Sequence, residues 1–277
     1  MADPFDSAWL KWGWGVIEAE ALKTDIDAFT EHIRADGLGT TRCEYQPKYH
    51  RFAVILDSIH FVEFPQRWGL RLGNVVQNYR SALDHIAWTL VDQGKTPPPT
   101  LTDRQQRSVL FPIQTDRVKF NDGIKRQLPG VGRAELAKVR RYQPFKTRKR
   151  GGTAALTILE RLSRFDKHRS IQPVAAYPFG GALEVTHFRD CEPSTRPTGN
   201  HPRRELEVGA EFAYVYVRKT GPKPEMAVKA ALDVKPSIDQ SFWLNEWLHN
   251  AKGMVAIVLR QFSEPPKKLL ERLERPA

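Results

Sequence analysis

The chain predicts an α+β fold, a helical bundle carrying a β-hairpin and a C-terminal antiparallel sheet. Three observations lead there. Gly69–Gly94 places Leu72, Val75, Tyr79, Leu83, Ile86 and Leu90 at helical spacing, with no proline between the two glycines. Residues 42–64 contain two runs rich in β-branched and aromatic residues, and from 171 to 238 the composition turns to β, with alternating bulky residues in Phe212–Val217. Ser241–Phe262 then restores a long apolar helical pattern. The expected organisation is a single domain over 1–277. Its helical core is about 8–35, 69–94, 153–168 and 241–262, with β elaborations about 42–64 and 171–238.

Taken in order, Ala8–Ala35 reads as a helix stopped by Gly37-Leu38-Gly39. Tyr49–Leu56 and Ile59–Phe64 read as two strands with Asp57-Ser58 as their turn, and Pro65 closes them. The triple proline Pro97–Pro99 breaks the chain after the central helix. Val109–Ile113 is expected to be extended, Thr115-Asp116 to start a helical turn holding Phe120, and Gly132–Val139 to be a short helix. Thr153–Phe165 follows as a helix. Strands are then expected at Gln172–Tyr177, Ala182–Phe188, Glu205–Val208, Phe212–Arg218 and Met226–Val234, with a polar, proline-containing loop over Arg189–Arg204. Pro265-Pro266 precedes a short charged helical tail.

Composition narrows the classes of function. With 40% hydrophobic and 27% charged residues the chain is globular in character. No apolar run approaches the length of a membrane span, and the first residues lack the basic-then-apolar order of a secretory signal. Cys43 and Cys191 are far apart and form no metal-binding pair, which suits a reducing cytoplasm. The expectation is a cytoplasmic protein without membrane attachment, cofactor or bound metal. A net charge of +11 and a pI near 9.7 favour a polyanionic partner, such as RNA. Lys138, Arg140, Arg141, Lys146, Arg148, Lys149 and Arg150 crowd one short segment, with Tyr142 and Phe145 among them for base stacking. A plain basic loop before a helix would read the same way.

The central helix carries the candidate chemistry. Asn74, Asn78, Ser81 and His85 form an uncharged polar stripe roughly opposite the apolar arc. Arg80 is followed five residues later by His85. A neutral imidazole can accept the proton of a ribose 2′-hydroxyl, and a fixed guanidinium can stabilise charge on a phosphoryl group. On a regular helix the two side chains point about 140° apart, so convergence needs a long reach, a bend or a second subunit. An ordinary i,i+4 ion pair between Arg80 and Asp84 is the structural alternative.

Arg80-Ser81-Ala82-Leu83-Asp84-His85 resembles the Arg-x4-6-His helix of the HEPN superfamily of small helical domains. The resemblance implies metal-independent RNA cleavage in a cleft often formed by a homodimer, in a defence or toxin-type endoribonuclease. His85 would be the acid/base, Arg80 the phosphoryl clamp, and Asn78 and Asp84 their orienting groups. Asp166, Lys167, His168 and Arg169, with Arg148, Lys149 and Arg150, would hold substrate. More broadly, N-Y-R-S-A-L-D-H, then F-P-I, then Y-Q-P-F, then F-D-K-H-R over Gly69–Arg169 resembles a family of uncharacterised bacterial proteins, which implies a shared fold unit rather than an activity. Two other readings stand beside the ribonuclease. One is a non-catalytic module binding nucleic acid or nucleotide. The other is a protein-interaction bundle in which Arg80, Asp84 and Asp166 form a buried ion network.

Overall fold

The computed structural model describes residues 3–36, 39–60, 63–94, 100–146, 151–166, 183–196, 199–200, 207–230, 236–238 and 242–273. It is a mixed helical and antiparallel β structure. The chain divides into two compact units, one of residues 1–23, 65–172 and 245–277, the other of residues 24–64 and 173–244. The second unit contains both stretches expected to be β.

The first unit is helical. It takes the N-terminal part of α1 (Asp6–Asp36), then α2 (Gln66–Gln93), a single turn α3 (Asp103–Gln106), α4 (Arg117–Gln127), α5 (Arg133–Arg141), α6 (Gly151–Asp166), most of α7 (Leu244–Leu259) and α8 (Lys267–Leu273). The apolar arc expected on the central helix is the one α2 buries, Leu72, Val75, Tyr79, Leu83 and Ile86 being inaccessible to solvent. Trp68, Val76 and Ala87 are buried as well, so α2 is packed around most of its circumference. Tryptophans fix its neighbours, because a buried indole N–H needs an acceptor. Trp12 donates to the Lys252 carbonyl at 3.0 Å, and Trp247 to that of Ala155 at 3.3 Å. Val109, Phe111 and Ile113 are buried in the connection between α3 and α4, which belongs to no strand or helix.

The second unit is built on antiparallel pairing. β1 (Gly39–Gln46), β2 (Arg51–Ile59), β6 (Glu211–Lys219) and β4 (Cys191–Pro193) follow one another in a sheet, and β5 (Gly199–Asn200) also pairs with β6. β3 (Leu183–Arg189) pairs with β7 (Glu225–Ala230), and β8 (Ser237–Ile238) with β9 (Phe242–Trp243). Phe52, Val54, Leu56, Val215 and Val217 face one core, and Ala53 and Ile55 between them are buried too, so the middle of β2 is covered on both faces.

The hairpin lies earlier than its sequence signal suggested. Asp57-Ser58 is inside β2, and the turn is Pro47–His50, where Pro47 starts one 3-10 turn and His50 adopts φ 50° to reverse the chain. The segment expected to be loop over Arg189–Arg204 supplies β4 and β5, and Glu207 and Val208 lie outside any strand. Gln172–Tyr177 falls outside the described residues. Both Cys43 and Cys191 are free thiols.

Candidate functional site

Arg80 is one of few buried charged groups among the described residues, only 9% exposed. From α2 its Nε donates to Asp84 Oδ2 at 3.2 Å, one turn along the same helix. Its Nη1 donates to Glu160 Oε2 on α6 at 2.8 Å, and its Nη2 to the Phe111 carbonyl at 2.9 Å. Asp84 closes the loop by accepting the Phe111 N–H at 2.9 Å. Glu160 also pairs with Arg164 at 2.8 Å. Burial pushes the Asp84 carboxyl above its ordinary range, against the opposing pull of Arg80 and the Phe111 N–H. One guanidinium thus ties α2 to α6 and to the buried connection before α4, with all three nitrogens engaged. Glu160 is a second acid of the network; the side chain of Asp166, the acid the sequence pointed to, lies outside the described residues.

His85 faces elsewhere. Its Nδ1 lies 2.9 Å from Ser7 Oγ in the first turn of α1, and one turn on Thr89 donates to the Pro4 carbonyl at 3.2 Å. Burial, then the nearby Lys11 ammonium, holds its pKa below the ordinary 6.5, with Asp84 pulling the other way. His85 is half-buried, and these surroundings favour its neutral form. Arg80 and His85 have different partners, Asp84, Glu160 and Phe111 for the one and Ser7 for the other. Asn78, expected to orient them, instead folds onto its own helix and donates to the Asn74 carbonyl at 2.9 Å. Asp84 orients Arg80. Lys167, His168, Arg169, Arg148, Lys149 and Arg150 lie outside the described residues, as does the side chain of Asp166.

The basic character of the chain extends further along the sequence than the 138–150 segment. From Asp103 to Arg150 the sequence holds fourteen Lys or Arg and four Asp or Glu, ten of the eleven net charges of the whole chain. Arg117, Lys119, Lys125, Arg126, Arg133 and Arg141 are exposed on α4 and α5. Their frame is held by side-chain hydrogen bonds. Asp116 caps α4 by accepting the N–H groups of Val118 and Lys119 at 2.7 and 3.0 Å. Arg140 on α5 donates to Asn121 on α4 at 2.6 Å. Gln143, fully buried, donates to the carbonyls of Pro112 and Val139 and accepts the Gln114 N–H. Phe145, read from sequence as a stacking residue, packs edge-on against buried Phe120 at 5.4 Å and belongs to the support. Tyr142 is half-buried, with Arg141 6.0 Å from its ring centre. A running sum of charge over 103–150 is the sequence signal that marks α4 as part of this face.

Among the described residues no three His, Cys, Asp or Glu side chains converge as metal ligands, and no helix is long and apolar enough to cross a membrane. No family model, curated protein or solved structure matches the chain.

Proposed function

We propose that the protein binds RNA through phosphate contacts made by α4, α5 and the basic segment that follows, on a helical unit of HEPN-like type. The observation that carries this reading is the gathering of almost the entire net charge into residues 103–150, with the cations of α4 and α5 exposed on braced helices. Polyanion affinity scales with the number of phosphates neutralised, and released counterions make it salt-dependent. The resemblance of the central helix favours RNA over other polyanions. The network around Arg80 serves this reading as scaffold, since it anchors α6 and the segment leading into α4.

Fluorescence anisotropy with a mixed-sequence single-stranded RNA between 50 and 300 mM salt tests it. The Arg117→Gln, Lys125→Gln, Arg126→Gln triple variant should bind more weakly at every salt concentration. The slope of log K against log salt should fall by about 2, at roughly 0.7 per lost phosphate contact. Unchanged affinity and slope in that variant would refute the assignment of the face.

The state of His85 favours a second reading, metal-independent RNA cleavage. The His85 imidazole, held toward the neutral form by burial and then by the charge of Lys11, would take the 2′-hydroxyl proton. EDTA-resistant cleavage that leaves 2′,3′-cyclic phosphate ends and is lost in His85→Ala would support it. RNA that stays intact through long incubation with the wild type would end it.

A further inference from the structure

The sheet of the second unit carries a feature that the helical unit does not explain. On β6 the side chains of Ala213, Val215 and Val217 are buried, so Tyr214 and Tyr216 share the opposite face. Their rings are 5.4 Å apart, edge to face. Arg51 on β2, in register with Tyr216, places its guanidinium 4.6 Å from the Tyr214 ring centre and 5.1 Å from that of Tyr49. Lys48 lies 5.4 Å from the Tyr49 ring, and Arg196 5.4 Å from that of Tyr216. The result is one row of cations and rings, Lys48, Tyr49, Arg51, Tyr214, Tyr216, Arg196. Its ends are open, with Tyr49 51% exposed and both Lys48 and Arg196 exposed.

The charges on this face divide by task. Arg51 is neutralised by Glu211, which it meets at 2.9 Å, and Gln46 joins the same carboxylate at 3.1 Å. Arg42 is taken up by Glu44 and Asp57, and Arg218 by Glu192. Arg51 therefore fixes the rings on either side of it, while the terminal cations stand on flexible exposed chains. Rings held in place before a ligand arrives lose little freedom on binding. A planar base can stack on a tyrosine face whatever its identity, and a flanking cation can reach its phosphate.

We propose that this row is a stacking site for unpaired nucleobases, with Tyr49 and Tyr216 the rings that receive them and Lys48 and Arg196 the contacts to the adjoining phosphates. The inference extends the RNA-binding reading to the second unit and rests on that reading for the class of ligand. A purely structural ladder would need no half-exposed Tyr49 at its end.

The test uses the full-length protein, a labelled twelve-nucleotide oligouridine and heparin as a polyanion without bases. Tyr49→Ala with Tyr216→Ala should weaken oligouridine binding about tenfold or more, leaving heparin affinity and the salt slope unchanged. Tyr49→Phe with Tyr216→Phe should restore binding, because the rings remain; thermal midpoints of both variants establish that they fold. Oligouridine affinity equal in wild type and the alanine variant, or a loss shared equally by heparin, overturns the proposal. Loss in the alanine variant with full binding by the α4–α5 glutamine variant leaves this site standing and removes the earlier reading. The reverse pattern does the opposite. Failure of the wild type to bind oligouridine removes the stacking site outright.

Discussion

Arg80 and His85 sit five residues apart on one helix yet answer to different forces. Arg80 is held by two carboxylates and a carbonyl, and removing it leaves the mostly buried Asp84 without its counter-charge, while Glu160 keeps Arg164. Loss of one partner from such a network costs about 3 kcal/mol or more, so Arg80→Ala should lower the urea midpoint markedly. If Arg80 is scaffold, RNA affinity below the unfolding range should stay near wild type. A large loss of affinity in the folded variant would return it to the ligand site. His85 makes a pH prediction of definite sign. Its folded pKa is below 6.5, so as pH falls the unfolded chain takes up this proton first. Its contribution to stability is complete above 6.5 and is lost progressively below it. The difference in stability between wild type and His85→Gln should shrink in the wild type's disfavour from pH 7.5 to pH 5, and the imidazole should titrate below 6.5 by NMR. Sequence disclosed the Arg80–Asp84 pair because helical spacing guarantees it. Glu160, eighty positions away, becomes a partner only through packing of α6 on α2, which no local pattern encodes.

Helices were the legible elements because a 3.6-residue period extends over many turns, and α1, α2, α5, α6 and α7 all lie close to their expected spans, while α4 begins at the expected Asp116 cap and runs on to Gln127. Strands were less so. β4 and β5 have two or three residues each and exist only because β6 offers them a ladder. The hairpin turn was missed because His50 in a left-handed conformation closes it without glycine, whereas Asp57-Ser58 has turn composition and stays in the strand. Two glycines of α1 allow an element-level test. A Cβ on Gly15 would lie 2.5 Å from the ring of fully buried Tyr79, and one on Gly13 would lie 2.6 Å from the mobile end of Leu269. Alanine gains up to about 1 kcal/mol of helix propensity over glycine, but overpacking against a rigid ring costs about 1 to 3 kcal/mol. Gly15→Ala should therefore destabilise, and Gly13→Ala should be close to neutral because Leu269 can turn aside. Thermal midpoints of the two variants measured together check the order. At the N-terminus of α4, Asp116→Ala should cost about 1 kcal/mol and raise amide exchange in the first turn.

Across the whole molecule, the charge map was readable from sequence in kind and not in extent, since the cluster at 138–150 draws the eye while α4 dilutes its cations with Val118, Phe120 and Ile124. The division into units was legible only as composition, because both units are assembled from separated segments. That interleaving bears on how the chain is made. β2 ends at Ile59, and its partner β6 begins at Glu211, about 150 residues later. At about 5 to 20 residues per second, a ribosome needs about 8 to 30 s to deliver β6 after the hairpin has emerged. Through that interval one edge of β2 has no ladder partner, and Phe52, Val54 and Leu56 lack Val215 and Val217, which share their core. Nascent chains stalled before Glu211 should be captured by chaperones or aggregate, and chains released after Lys219 should not. Synthesis rate thereby becomes a determinant of yield for this sequence.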